Sequence, residues 1–232
     1  MDVSHLRYYN TAFSDAESGW PADMKAEMRR KGQAVVMGHL GLWQRLRFGW
    51  LFMREHARMK GVDIGHIRAR GMNNEAFLKQ QIEYIALFSA VAQIKGTDKA
   101  IAILCEVMDV TAREALLLCL PELKDMKAFD DPLQAWRAYA APIPEASTKA
   151  GCQELRVFDD GPDAVQMDVH WCVWLELARA LGVPEACIPN CYSDDLVFPE
   201  YFEALGLRYS RTQTLARGGT CCNFRFERPQ PT

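Results

Sequence analysis

Long apolar runs are missing from this sequence of 232 residues. The longest apolar stretches, residues 100–104 and 115–120, are much shorter than the ~20 residues that a membrane-spanning helix needs. Residues 1–15 also lack the apolar segment and small-residue cleavage site of a secretory signal. We therefore expect a cytoplasmic protein with no membrane partner.

A dense framework of cysteines is missing as well. The eight cysteines lie between residues 105 and 222 without the dense spacing of a secreted disulfide scaffold, so we expect reduced thiols. The spacings Cys187-x-x-x-Cys191 and His170-x-Cys172 lack the Cys-x-x-Cys form of a structural zinc site. Binding of a divalent metal such as zinc is left as an open question, because these spacings define no set of ligands.

The chain has no excess of positive charge, because its formal net charge is −3. One segment differs: residues 29–70 hold ten basic and two acidic residues. Single-stranded nucleic acids bind to such basic surfaces when aromatic side chains are interleaved. We favour an amphipathic helix with its aromatic residues in the core, and expect no nucleic-acid partner. The aromatic residues in question are Trp43, Phe48, Trp50 and Phe52.

Helical periodicity dominates the N-terminal half. The clearest pattern is a helix from Phe77 to Ile94, with Asn73 or Asn74 as its cap. Composition and punctuation predict further helices over residues 21–33 and 40–60, from Thr97, from Thr111 in a capping box with Glu114, and after Asp131.

Beyond Pro142 and Pro144 the apolar period changes to two. Residues 155–157 and 165–171 predict a hairpin, residues 172–181 a helix, residues 185–199 a loop, and residues 207–215 and 221–227 two more strands. The predicted class is α+β, with a helical N-terminal half followed by a four-stranded antiparallel sheet that has one inserted helix. We divide the chain into a helical region, 1–144, and an α+β region, 145–232, within one compact domain.

Chemistry-bearing side chains lie on the last predicted strand. If Phe224 and Phe226 face the core, Cys222 lies on the same buried side, while Asn223 and Arg225 point away. Cys222 is then either inert packing or a nucleophile. Arg225 either binds a substrate carboxylate or is solvated on the outer face.

A second group lies in the predicted loop. Cys187, Cys191, Asp194 and Asp195 follow each other closely, with His170 and Cys172 upstream. Thiols, an imidazole and carboxylates from one short region can assemble a nucleophile with a base beside it. The two aspartates could equally cap a helix that starts near Pro199.

Three motifs in this region resemble those of the L-2-amino-thiazoline-4-carboxylic acid hydrolase family. Residues 211–226, Arg-Thr-Gln-Thr-Leu-Ala-Arg-Gly-Gly-Thr-Cys-Cys-Asn-Phe-Arg-Phe, resemble the closing signature of that family. Residues 191–194 match its Cys-x-x-Asp, and Cys172 falls at the family's helix-start cysteine. Asn223 departs from the pattern, which has Asp at this position.

The resemblance implies a hydrolase that opens a cyclic carbon–nitrogen bond in a small, carboxylate-bearing ring. Cys222 is the first choice for the nucleophile, Asp194 for activating water and His170 for protonating the departing atom. Alternatively, a metal that activates the water is bound by Cys172, Cys191, Asp194 and Cys222. A non-catalytic ligand-binding or sensory protein is the alternative, favoured by Asn223. A small molecule is the expected partner, and a homo-oligomer stays open. The predicted catalytic residues are Cys222, Asp194, Cys191, Cys172 and His170, and the predicted substrate-binding residues are Arg225, Arg211, Thr214 and Asn223.

Overall fold

The computed structural model describes residues 1–7, 21–159 and 161–229. In chain order, the helices of the first part are α1 (Ala22–Gly38), α2 (Leu42–Lys60), α3 (Gly65–Arg68), α4 (Glu75–Lys95), α5 (Thr97–Leu118), α6 (Leu123–Met126), α7 (Pro132–Ala140) and α8 (Ile143–Lys149). The second part contains β1 (Gln153–Asp159), β2 (Ala164–Cys172), α9 (Val173–Ala180), α10 (Cys187–Glu203), β3 (Arg208–Ser210) and β4 (Cys222–Glu227). Single 3-10 turns cover Pro184–Ala186 and Leu215–Arg217.

The four strands form one antiparallel sheet in the order β1-β2-β4-β3. This confirms the predicted α+β class and the hairpin of β1 and β2. Val169 of β2 lies opposite Cys222 of β4, and both side chains are buried. The next residue along β2, His170, is exposed, as the period of two requires. The sheet therefore has an inner face of apolar residues and thiols and an outer polar face.

Two predicted helix starts are confirmed by their caps. The Asn74 side chain accepts a hydrogen bond from the backbone N–H of Phe77, and Asp131 accepts one from the N–H of Gln134. Each cap satisfies a donor that the first turn of a helix leaves without a partner.

The prediction of separate helices from Thr97 and Thr111 is wrong, because α5 runs without a break from Thr97 to Leu118. The Thr111 hydroxyl donates to the carbonyl of Val107 at 2.7 Å, which is how threonine satisfies its hydroxyl inside a helix. The capping box was therefore a coincidence of residue types.

The predicted loop over residues 185–199 is also wrong, since most of it belongs to α10. Pro189 lies in the first turn of this helix, where a missing N–H does no harm. Tertiary packing overrides the weak helix propensity of the segment, because α10 lies along α5 and buries Phe198, Tyr201 and Phe202. Asp194 and Asp195 are interior helix residues and cap nothing.

The core has two clusters of buried side chains. One lies among the long helices and reaches α9 and the start of α10, while the other lies between α7, α10 and the inner face of the sheet. The aromatic rings of Phe202 and Phe226 meet at 4.4 Å between centroids in the second cluster, with Trp136 against both. The division of the chain at residues 144 and 145 stays a prediction.

The aromatic residues of α2 do not all face the core. Phe48 is buried, whereas Trp43 and Trp50 are 80% and 61% exposed, so the prediction was wrong for both tryptophans. Helix α2 therefore buries Phe48 in the core, while its two tryptophans face the solvent. Across the described residues, no helix is long and apolar enough to cross a membrane.

Candidate functional site

A cavity of about 710 Å³ lies between the long helices, α10 and the inner face of the sheet. Its size is that of pockets which enclose small organic ligands, roughly 300–1,000 Å³. Four thiols and an ion pair are in its lining: Cys172, Cys187, Cys191 and Cys222 with Asp194 and Arg211. The cavity therefore brings together Cys222 of the last strand and Asp194 of α10.

Helix geometry explains three of these residues. Cys187, Cys191 and Asp194 are four and three residues apart on α10, so their side chains lie on one face of the helix. Cys172 ends β2 and Cys222 begins β4. Because these two central strands are antiparallel neighbours, both thiols lie at the same end of the sheet. The arrangement is a consequence of one helix facing two adjacent strands.

Cys191 is the acidic thiol of the group. The Sγ atoms of Cys187 and Cys191 are 4.0 Å apart, and Cys191 also hydrogen bonds with Cys222. These two hydrogen bonds, followed by the positive charges of Arg211 and Arg217, outweigh the effect of burial and hold the pKa of Cys191 well below its usual value. A thiolate is therefore favoured at Cys191.

Cys222 and Cys187 have the opposite character. Hydrogen bonding to Cys191 and burial raise the pKa of Cys222, although its sulfur accepts a hydrogen bond from the backbone N–H of Leu215 at 3.2 Å. Hydrogen bonding to Cys172 and then to Cys191, together with burial, raises the pKa of Cys187. Both thiols keep their protons and act as donors to the Cys191 sulfur.

Asp194 forms a buried ion pair with Arg211. Arg211 Nη1 lies 2.8 Å from the Asp194 carboxylate, and the two side chains are 2% and 22% exposed. The exposed part of Asp194 faces the cavity that it lines, so protein still surrounds the carboxyl group. Burial raises the pKa of Asp194 to about 7, against the opposing effect of Arg211 and with a further contribution from charge on Cys191.

Arg211 is held by three oxygen atoms. Besides Asp194, it donates to the carboxylate of Asp195 at 2.7 Å and to the carbonyl of Cys191 at 2.5 Å, and its guanidinium lies over the Phe224 ring. Its Nε is buried and has no hydrogen-bond partner. The guanidinium thus ties α10 to β4 and places a fixed positive charge beside the thiols.

Tyr84 contributes a second polar atom without a partner. The side chain lines the cavity from α4, and its buried hydroxyl makes no hydrogen bond. Burial, with charge on Cys187, Cys105 and Cys191, raises the pKa of Tyr84 well above its ordinary value. The hydroxyl therefore stays protonated and is available as a donor.

Asn223 holds the chain that carries Arg211. Its Oδ1 accepts hydrogen bonds from the backbone N–H groups of Thr212 and Gln213 at 3.0 and 2.8 Å, and its Nδ2 donates to the Thr212 hydroxyl. Two of these three bonds need only an acceptor, which an aspartate also supplies. Asn223 thus stabilises the backbone that directly follows Arg211. Substrate binding by Asn223 stays a prediction.

Gly218 and Gly219 shape the turn after Arg211. Gly218 has a φ of +84°, which strains other residues, and a Cβ on Gly219 would come within 2.9 Å of the Thr214 carbonyl oxygen. The Thr214 hydroxyl accepts a hydrogen bond from the Arg217 N–H inside this turn. Thr214 is buried in the turn and does not line the cavity.

His170 and Arg225 are not brought to this site. Both lie on the outer face of the sheet, one residue out of phase with Val169 and Cys222, so the sheet separates them from the thiols. Arg225 donates to Glu227 at 2.7 Å instead. Their predicted roles in proton transfer and carboxylate binding have no support in this geometry.

Tyr84 and Cys187 line the cavity but were not among the predicted site residues. Tyr84 lies within the apolar period of α4, so its hydroxyl looked like part of a buried stripe. Cys187 was seen as part of the group, but only its helical spacing to Cys191 and Asp194 could have shown that it shares their face. Among the described residues, no group of three or more His, Cys, Asp or Glu side chains could hold a metal ion. Zinc binding stays a prediction.

A comparison with family models places residues 75–226, about two thirds of the chain, in a match to the model described as L-2-amino-thiazoline-4-carboxylic acid hydrolase. The match spans α4 to β4 and so contains every residue of the thiol group and its ion pair. Neither the search of curated proteins nor that of solved structures found a match.

Proposed function

Because the chain belongs to the L-2-amino-thiazoline-4-carboxylic acid hydrolase family, we propose that it is a hydrolase which opens a cyclic carbon–nitrogen bond. Its substrate is an amidine, thiazoline or lactam-like ring that bears a carboxylate. The observation that carries this proposal is the low-pKa thiol of Cys191 beside Asp194 in one cavity. Eight free cysteines agree with a reducing, cytoplasmic setting.

Cys191 is the nucleophile in this proposal, in place of Cys222. Its thiolate attacks the ring carbon that lies between two heteroatoms, and a carbon–sulfur bond forms as the ring double bond opens onto nitrogen. Cys187 and Cys222 hydrogen bond with the sulfur and keep it anionic until the attack. They do not act as nucleophiles themselves because their pKa values are raised.

Asp194 moves the protons. With a pKa of about 7 it is partly protonated at neutral pH, so it can give a proton to the ring nitrogen. The bond between this nitrogen and the attacked carbon then breaks, as the other heteroatom on that carbon returns its lone pair and leaves the carbon bound to Cys191. The resulting carboxylate then takes a proton from the water that attacks the adduct, which releases Cys191 and the ring-opened product. The Tyr84 hydroxyl donates to the heteroatom that becomes negative, and Arg211 supplies the compensating positive charge.

Turnover of a panel of rings tests the proposal. Purified protein is incubated with 2-amino-thiazoline-4-carboxylate, with other cyclic amidines and with lactams, and products are followed by the mass of one added water. Cys191→Ala should lose at least about a hundredfold in kcat/KM, because covalent catalysis is removed. Cys221→Ala is the matched control, since this buried thiol does not line the cavity.

Mass spectrometry of the intact protein separates the possible roles of the thiols. A covalent adduct that forms in the wild-type chain and in Cys222→Ala, but not in Cys191→Ala, supports the proposal. An adduct on Cys222 would overturn the choice of nucleophile. Tight binding of the rings with no turnover in any protein would instead establish the ligand-binding alternative. Asn223 favours neither alternative, because its contacts with the backbone of Thr212 and Gln213 and with the Thr212 hydroxyl stabilise the fold in both.

A further inference from the structure

The cavity extends far beyond the thiols, along the space between α1, α4 and α5. The wall there is apolar, and is formed by Met28, Val36, Phe48, Leu87, Met108 and Ala112. A five-membered ring with one carboxylate fills only a small part of about 710 Å³, since pockets of this size enclose ligands of drug-like dimensions. Most of the cavity volume would thus stay unfilled by the ring alone.

The thiols, Asp194 and Arg211 supply the reactive polar groups of the cavity. The exposed residues of the lining are Arg29 and Gln33 of α1 and Gln80 of α4, so these two helices form its solvent-facing, polar edge. Gln81 and Thr111 add buried polar side chains, but most of the remaining lining is apolar. This composition matches a molecule with a polar head and an extended apolar part.

We propose that the substrate of this site carries an extended apolar arm on its ring, an alkyl or aryl substituent that lies between α1 and α5 while the ring meets Cys191 and Asp194. The identity of the head group rests on the function proposed above. The arm rests on the shape and lining of the cavity alone.

The width of the passage depends on small side chains. Ala112 and Ala115 face the cavity from α5, and both are buried. Nearby, a Cβ on Gly32 of α1 would come within 3.1 Å of Val107 Cγ1, so the two helices are close at this point. A large side chain at residue 112 would therefore narrow the apolar part of the cavity from the side of α5.

A chain-length series measures the effect. The probes are thiazoline-4-carboxylates whose ring carbon between nitrogen and sulfur carries a methyl, butyl, hexyl or octyl group. We expect kcat/KM to rise by about threefold to fourfold for each buried methylene, until the arm reaches the polar edge. Calorimetric titration with the same series gives the affinity whether or not the ring is opened.

Three variants locate the arm. Ala112→Phe should abolish the gain from long arms and leave the methyl compound unaffected, whereas Met108→Ala should favour longer arms. Val110→Phe is the control on the same helix, because Val110 is 41% exposed and does not line the cavity. The Met108 variant keeps the test valid if Ala112→Phe does not fold.

The outcomes separate the two proposals. Turnover and affinity that are independent of arm length in the wild-type chain would overturn the arm while leaving the ring-opening function intact. Affinity that rises with arm length, without any ring opening, would support the arm and overturn the function.

Discussion

Arg211 donates to the Asp194 carboxylate at 2.8 Å while only 2% of its own side chain is exposed. This pair joins the segment after β3 to α10, and it stands beside the thiol that most readily loses its proton. Burial and the charge of Arg211 act on Asp194 in opposite directions, and burial is the larger effect. The carboxyl group is thereby brought into the pH range in which it can both give and take a proton.

The raised pKa of Asp194 makes stability depend on pH. Its pKa is about 7 in the folded chain, whereas an aspartate in water has an ordinary pKa of 3.8, so the folded state binds more protons between these two pH values. This stabilising contribution is complete below about pH 4 and is lost as the pH rises through 7. The free energy of unfolding of the Asp194→Asn variant should decline less over this pH range than that of the parent chain, by on the order of 2–4 kcal/mol. Urea unfolding at pH 4.5 and 8 measures both proteins, and equal declines would contradict the assignment.

Loss of Arg211 should destabilise the fold strongly. Arg211→Ala leaves Asp194 and Asp195 without their shared cation, and breaking such a buried pair costs about 3–5 kcal/mol. Arg208→Ala removes the ion pair between the exposed Arg208 and Glu227, which keeps its contact with Arg225, and should cost less than about 1 kcal/mol. Thermal and urea unfolding of the two variants give the comparison, and similar losses would show that Arg211 is only a surface contact.

The thiol of Cys191 should titrate at a lower pH than the other cysteines. In the rate of alkylation by iodoacetamide against pH, Cys191→Ala should remove the component that reacts below neutral pH. Cys222→Ala should shift that component upward by about one pKa unit or more, because one hydrogen bond to the thiolate is lost. Peptide mapping identifies the labelled residue. Early labelling of Cys222 in the wild-type chain would reverse the assignment.

Substitutions of Asn223 should distinguish a role in stabilising the backbone from a role in the reaction. Asn223→Asp keeps an acceptor for the N–H groups of Thr212 and Gln213, so we expect activity within about threefold of the parent and a change in stability below about 1 kcal/mol. Asn223→Ala leaves both donors without this acceptor and should cost about 1–3 kcal/mol. Kinetics and unfolding curves test this, and a complete loss of activity in a fully stable Asn223→Asp variant would instead place Asn223 in the reaction.

Sequence patterns alone determined the class of the fold and much of the site. The change of apolar period after residue 144 predicted helices followed by an antiparallel sheet, because period 3.6 and period 2 each bury one face. The same period placed Cys222 inward and Arg225 outward. The motifs that hold Cys172, Cys191, Asp194 and Cys222 indicate the family from the sequence alone.

Only the tertiary structure decided that residues 187–203 form a helix, since packing against α5 overcomes two prolines and several residues of low helix propensity. That helix determines which thiol is acidic, because its spacing places Cys191 next to Cys187, Cys222 and Arg211. The pKa of a group depends on burial and on neighbours that are distant in the chain, and a linear pattern contains neither. The sequence therefore supplied the reactive groups, and the fold assigned their roles.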